Sequence, residues 1–149
     1  MKWVDIPPVW LLGALALAWW QPRVLSMGLS FGGSWKAWVG AGLVLAGLGL
    51  MAMAFVAFRQ HRTSVVPHQV PKALITTGIF ARTRNPIYLG DVLILAGCIL
   101  RWDAVLSVIL VPIFVQLLVR RFILDEEARL QSKFPEEAQA YWVLTRRWL

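Results

Sequence analysis

Charged residues are scarce in this sequence. Asp, Glu, Lys and Arg make up only 15% of its 149 residues, whereas 58% of the residues are hydrophobic. Soluble domains usually contain about a quarter of charged residues and about half apolar residues. The composition therefore excludes an ordinary soluble domain and predicts an integral membrane protein.

Several chemical groups that soluble enzymes commonly use are missing or nearly so. Cys98 is the one cysteine, so no disulfide can form within the chain. The two histidines, His61 and His68, have no second pair of ligands at metal-binding spacing, so we predict no metal site. GxGxxG, P-loop and HExxH motifs are also absent, which leaves the familiar soluble nucleotide-binding folds without support.

What the sequence does contain is long apolar segments, at about residues 6–20, 37–58, 87–100 and 104–124. A helix needs about 20 residues to cross about 30 Å of hydrocarbon. The second and fourth segments reach that length, whereas the first and third must tilt, extend into flanking residues or follow a partly re-entrant path. The simplest prediction is an all-α integral membrane protein with four transmembrane helices, forming a single membrane domain over residues 1–149. A loop at 59–86 and a tail at 125–149 lie outside the membrane in this prediction.

The basic residues predict how the chain is oriented. The net charge is +7, and 12 of the 15 Lys and Arg residues fall on the side that holds both termini and the 59–86 loop. By the positive-inside rule this side is the cytoplasm, which we expect to be that of a bacterial inner membrane. Five tryptophans at the opposite ends of the segments fit an interfacial aromatic belt: Trp19, Trp20, Trp35, Trp38 and Trp102. Because the charge is explained by orientation, we expect no nucleic-acid partner.

Small residues and prolines give further local predictions. Gly42 and Ala46 have the small-xxx-small spacing that favours close packing of membrane helices. In the tail, Pro135 followed by Glu136 and Glu137 predicts the start of a second short helix. We expect residues 125–149 to form a helical cap that lies against the membrane on the cytoplasmic side.

The third apolar segment begins with a polar cluster, RTRNPIYLG at residues 82–90. Asn85 is a favoured N-cap and Pro86 a favoured first helical residue. The unpaired N–H groups of such a first turn can hold a carboxylate or phosphate, and Arg82 and Arg84 would strengthen the attraction. The alternative is an ordinary capped helix with arginines that extend to the membrane surface.

Asp91 follows one turn into the same segment. A carboxylate this close to hydrocarbon is costly, and it indicates either a functional site or a side chain that reaches interfacial water. The sequence leaves both readings open.

Two stretches resemble a known family. RTSVVPHQVPKALITTGIFARTRNPIYLG, and later EEARLQSKF and YWVLTRRWL, are similar to motifs of the membrane methyltransferases grouped with isoprenylcysteine carboxyl methyltransferase and the phospholipid N-methyltransferases. The likeness covers roughly residues 59–149, and its parts occur in the expected order around a helical hairpin. The chain resembles bacterial members of the family, in which Asn can stand before the proline at the position of Asn85.

The resemblance implies a methyltransferase that uses S-adenosylmethionine, held between the loop, the start of the hairpin and the tail. Its implied acceptor is a lipophilic molecule or a lipid-anchored group that enters from the bilayer and carries a carboxylate, a thiol or an amine. Glu127 and Arg147 are the implied catalytic residues. The implied cofactor-binding residues are Leu74, Gly78, Phe80, Arg84, Asn85, Pro86, Tyr88, Gly90 and Glu126.

Departures from the family pattern leave the acceptor open. Lys72 stands where a histidine is frequent, and Pro135 and Ala138 replace the usual Gly and Tyr of the tail. A prenylated protein substrate therefore cannot be assumed, and the sequence does not give the oligomeric state.

Other function classes also fit parts of the sequence. A small four-helix transporter would use Asp91 as a proton-coupled carboxylate. A non-catalytic membrane scaffold would use the glycine-bearing second segment for self-association. A membrane reductase with a nicotinamide cofactor would need additional basic contacts for the extra phosphate, and Arg82, Arg84 and Arg147 could supply some of them.

Overall fold

The computed structural model describes residues 5–25, 27–62 and 73–149. All regular structure among these residues is helical, which confirms the all-α prediction. His68, Lys72 and the start of the family-like loop stretch lie outside the described residues. The α-helices are α1 (Pro7–Val24), α2 (Trp35–Gln60), α3 (Pro86–Arg101), α4 (Leu110–Leu118), α5 (Leu124–Lys133) and α6 (Pro135–Leu144). Short 3₁₀ turns cover Gly78–Ala81 and Val105–Ile109.

Within the part of the chain that the structure describes, two helices are long and apolar enough to cross a membrane: Trp35–Gln60, with 26 residues, and Val105–Lys133, with 29 residues. They correspond to the second and fourth apolar segments and confirm the length argument for both. The helices α1 and α3 have 18 and 16 residues. At 1.5 Å per residue they span about 27 Å and about 24 Å, so the four-helix crossing stays a prediction.

The helix that holds the fourth apolar segment continues beyond residue 124, where the apolar residues end. The 29-residue helix continues through a π-helical turn at Val119–Ile123 into α5. No proline or glycine occurs between residues 113 and 134, so nothing in the sequence stops the helix there. A π turn inserts one extra residue into the helix and is frequent near functional sites. Here it immediately precedes Glu126 and Glu127.

The helices α2 and α3 pack backbone against backbone through two pairs of glycines. A Cβ built on Gly47 would lie 2.6 Å from the carbonyl oxygen of Gly90, and one built on Gly97 would lie 2.5 Å from that of Gly40. Only glycine permits this approach. Close helix packing through the small residues of this segment is thus confirmed, but Gly42 takes no part in it, since a Cβ there would meet nothing within 4 Å. The contacting glycines of α2 are seven residues apart, and Gly42 lies off that face.

The opposite face of α3 packs against α1 and α4. It carries a continuous buried stripe at helical spacing: Tyr88, Asp91, Leu95 and Ile99. The apolar residues of this stripe share one core with Leu118 and Phe122, which belong to the 29-residue helix, called the long helix below. The outer surfaces of α1 and α2 are apolar and exposed, with Trp38 80% accessible, as lipid-facing surfaces would be.

A polar contact joins the loop before α2 to the turn that follows α3. Asp103 accepts hydrogen bonds from Lys36 Nζ, Ser30 Oγ and the backbone N–H of Phe31. These hydrogen bonds lower the pKa of Asp103 to about 2, and the bond from Lys36 has the largest effect. Asp103 has a φ of 57°. The contact therefore fixes the loop before α2 on the turn between α3 and the long helix.

Candidate functional site

The first turn of α3 is joined to the end of the chain. Arg84 N–H donates to the carbonyl oxygen of Arg146 at 3.1 Å. The side chains of Thr83 and Asn85 donate to the carbonyl oxygen of Arg147 at 3.3 and 3.0 Å. The helix begins at Pro86, as predicted, but Asn85 does not cap it with its side chain. Its amide is engaged by the tail instead.

Glu127 binds two arginines from different parts of the chain. Arg147 donates from Nε to Oε1 at 3.1 Å and from Nη2 to Oε2 at 2.6 Å. Arg84 Nη1 lies 3.3 Å from Oε1. Hydrogen bonding to Glu127 raises the pKa of Arg147. The Glu127 side chain is 15% exposed and that of Arg147 35%, so these charge-assisted bonds are partly shielded from water. Three residues singled out from the sequence thus lie together.

Glu126 makes a separate contact, with Tyr88. Tyr88 donates its hydroxyl to Glu126 Oε2 at 3.0 Å. The Tyr88 ring is stacked on Phe122, with centroids 6.4 Å apart and the planes at 23°. Phe122 belongs to the π turn, which therefore supports the residue that holds Glu126. The two neighbouring acids point into different contacts, a division that the sequence left open.

The segment before α3 is held by α6. The 3₁₀ turn starts at Gly78, whose φ of 63° suits glycine, and it buries Phe80 against Phe58 with ring centroids 5.4 Å apart. Tyr141 donates its hydroxyl to the carbonyl oxygen of Phe80 at 2.6 Å. Burial raises the pKa of Tyr141 to about 12, with Arg84 opposing the shift. Leu74 is half-buried in the chain that leads to this turn.

Gly90 and Pro86 lie elsewhere in the helix packing. Gly90 contacts the Gly47 backbone of α2, on the side of α3 that packs against that helix. The structure therefore does not bring Gly90 to Glu127. Pro86 is fully buried at the start of α3.

Three contributors to this region were not predicted from the sequence: Trp142, Tyr141 and Arg129. The guanidinium of Arg84 lies over the ring of Trp142, 5.6 Å from its centroid. Tyr141 holds the carbonyl oxygen of Phe80 through its hydroxyl. Arg129 lies one turn after Glu126 on the same face of α5, a spacing that could have indicated it.

Two buried N–H groups have no partner among the described residues, the Nε groups of Arg84 and Arg129. Buried donors of this kind are costly unless a ligand satisfies them. A carboxylate-bearing cofactor fits the unpaired Arg84 donor beside the first turn of α3. Within the described residues, no group of three His, Cys, Asp or Glu side chains is placed to hold a metal.

The acids and arginines of the site lie where the starts of α3 and α5 meet the end of the chain, and the outer surfaces of the molecule are apolar. These features define a membrane-associated helical protein with a polar site at one end. The chain belongs to the phospholipid methyltransferase family, whose model matches residues 35–137. This confirms the resemblance seen in the motifs, and it supports methyltransferase activity in general. The match includes Arg84, Glu126 and Glu127 and ends before Arg147. No curated protein and no solved structure matches the chain.

Proposed function

We propose that this protein transfers a methyl group from S-adenosylmethionine to the headgroup amine of a membrane phospholipid. The observation that carries the proposal is the contact of Glu127 with Arg84 and Arg147 beside the first turn of α3, in a chain of this family. Members of the family generally use S-adenosylmethionine, and the family description points to a phospholipid acceptor.

Arg84 and the first turn of α3 hold the cofactor carboxylate in this proposal. The unpaired Nε of Arg84 supplies a charged donor, and the helix terminus supplies backbone N–H groups. Glu126, oriented by Tyr88, accepts hydrogen bonds from the amino group or the ribose hydroxyls. When bound, the cofactor supplies an electrophilic methyl group on a sulfonium.

Glu127 and Arg147 position the acceptor and close the site. Methyl transfer is an in-line displacement, so the main tasks of the protein are alignment and exclusion of water. The bidentate pair fixes the tail over α3, and the bonds from Thr83 and Asn85 to the Arg147 carbonyl hold it there. The lipid acceptor reaches this site from the bilayer, between the helices.

A calorimetric titration of the purified protein with S-adenosylmethionine tests the proposal. We expect saturable binding, and transfer of a labelled methyl group to lipids in a bacterial extract. A proton-coupled transporter is the second candidate, favoured by the burial of Asp91 at 2% exposure. A transporter would not bind S-adenosylmethionine, and neither would a non-catalytic membrane scaffold. Absence of binding would therefore reject the methyltransferase.

A further inference from the structure

Asp91 is a buried carboxylate that none of the contacts above explains. It is 2% exposed, and its Oδ2 atom has no hydrogen-bond partner among the described residues. It is the one charged member of the buried stripe on α3, with Tyr88 before it and Leu95 after it. An unsatisfied carboxylate at such a position is costly and is retained where it has a task.

The position of Asp91 places it next to the candidate site and deeper in the helix packing. Tyr88 lies one turn before Asp91 on the same face of α3, and its hydroxyl contacts Glu126 of α5. Tyr88 is the titratable side chain that interacts electrostatically with Asp91, and Glu126 and Arg129 in turn interact with Tyr88. The other helices packed on this stripe contribute apolar side chains such as Leu11 and Leu118. The salt bridges described above leave Asp91 out, since Arg84 and Arg147 are both engaged by Glu127.

We infer that Asp91 accepts the proton that the headgroup ammonium of the acceptor must lose before methyl transfer. An ammonium has no lone pair, so it cannot attack the sulfonium carbon until an N–H bond breaks. The proton moves to Asp91 Oδ2, which becomes a neutral carboxylic acid, and the freed nitrogen lone pair forms the new C–N bond as the C–S bond breaks. The inference rests on the proposed function, because only an amine acceptor needs this step.

Burial suits Asp91 to this role. A carboxylate in an apolar stripe attracts an incoming ammonium strongly, because little water screens the pair. After the proton transfer both groups are neutral, which an apolar site favours. A carboxylate or thiolate acceptor would instead be repelled by Asp91.

The test compares Asp91→Asn and Asp91→Glu with the unaltered protein. For Asp91→Asn we expect kcat at neutral pH to fall by on the order of 100-fold or more, with the affinity for S-adenosylmethionine in calorimetry unchanged. The rate of this variant should rise as pH increases, because the amine then loses its proton to solvent. Asp91→Glu keeps a carboxylate and should retain part of the rate with a flatter pH profile. Asp125→Asn, which changes an exposed acid of α5, is the matched control and should behave like the unaltered protein.

Several outcomes would overturn the inference. The first is a normal rate of methyl transfer for Asp91→Asn at neutral pH. The second is a rate for Asp91→Asn that does not recover at high pH. The third is a rate for Asp91→Glu that depends steeply on pH. If Asp91→Asn does not fold, the Asp91→Glu profile decides the question. Failure of the unaltered protein to bind S-adenosylmethionine rejects the proposed function itself, whereas binding with a normal Asp91→Asn rate rejects only the role of Asp91.

Discussion

At the scale of single residues, the bidentate contact between Arg147 and Glu127 gives the most direct test of the site. Arg147→Ala removes two charge-assisted hydrogen bonds and leaves Glu127 with Arg84 alone. We expect methyl transfer to fall by on the order of 100-fold, because the acceptor loses its alignment. Since Arg147 is partly exposed, the free energy of unfolding should fall by only about 1 kcal/mol. Transfer assays and thermal unfolding in detergent measure the two effects.

Arg146→Ala is the matched control for that variant. The Arg146 side chain is exposed, and only its backbone carbonyl contacts Arg84, so alanine preserves the contact. Its activity should stay near that of the unaltered protein. Equal loss of activity in both variants would show that general charge, and not the Glu127 contact, is what matters.

Tyr88→Phe separates the hydroxyl of Tyr88 from its ring. The ring contact with Phe122 is kept, while the hydrogen bond to Glu126 is lost. We expect the affinity for S-adenosylmethionine to fall by about fivefold, equivalent to one hydrogen bond of about 1 kcal/mol. Calorimetry measures the affinity, and the melting temperature shows whether the fold is intact. Unchanged affinity would remove Glu126 from the proposed cofactor site.

The residues of this site were predictable only in part. The motif resemblance identified Glu127, Arg84 and Arg147, and the structure brings them together. The sequence did not decide between Glu126 and Glu127, because neighbouring helix residues point about 100° apart and only the surrounding packing fixes their partners. Motifs do not separate packing glycines from ligand-binding ones, so the packing of Gly90 against α2 was not predictable and its role in cofactor binding stays a prediction.

At the scale of helices, the glycine contacts of α2 and α3 give a test with an internal control. Gly47→Ala places a methyl group 2.6 Å from the Gly90 carbonyl oxygen, which requires the helices to separate. We expect this overpacking to cost about 1–3 kcal/mol of stability. Gly42→Ala meets no neighbour within 4 Å and should leave the melting temperature unchanged or slightly higher. Equal behaviour of the two variants in thermal unfolding would contradict the packing.

The connection between α3 and the long helix gives a pH prediction. The native pKa of Asp103, about 2, lies below the ordinary value of about 4. The native state therefore binds this proton less readily than the unfolded state does. The stabilisation from Asp103 is fully present above about pH 4 and is lost as the pH falls through about 2. Thermal unfolding between pH 2 and pH 6 should show this loss.

Asp103→Asn is the comparison for the pH series. Asparagine tolerates the positive φ at this position, so the backbone is not strained by the change. The variant should be less stable than the unaltered protein at neutral pH and should show a smaller loss of stability on acidification. An identical pH dependence in both proteins would mean that Asp103 does not contribute.

Helix starts were predictable, whereas helix continuation was not. Pro86 and Pro135 begin α3 and α6 as expected, because proline suits a first helical position. The change from apolar to polar residues near 124 marks the end of the predicted membrane segment, whereas a helix stops where its backbone bonds stop. No residue there interrupts them, so the helix passes from one environment into the next.

At the scale of the whole molecule, the orientation in the membrane is open to direct measurement. A Cys98→Ser background removes the one native cysteine, after which single cysteines can be introduced at exposed Ser34 and Gln139. The charge distribution predicts that a membrane-impermeant maleimide labels the Ser34→Cys variant in intact cells and not the Gln139→Cys variant. Lysed cells should label both. The reverse pattern would place the tail outside the cytoplasm.

The all-α class and the two long apolar helices followed from composition and segment length, because hydrocarbon permits few alternatives. How the polar ends of those helices meet was not predictable, since it depends on contacts between segments far apart in the chain. Arg84, Glu127 and Arg147 come from three such segments.

The glycine contacts between α2 and α3 also limit how the molecule can open. With carbonyl oxygens against Cα atoms at both Gly40/Gly97 and Gly47/Gly90, α3 has no room to slide or rotate against its neighbour. The end of the chain is held to α3 by hydrogen bonds and by the ion pair of Arg147 with Glu127, which can open one at a time, unlike the backbone packing of the glycines. We therefore expect small molecules to enter and leave by movement of the residues that follow α6, while α2 and α3 stay packed as a unit.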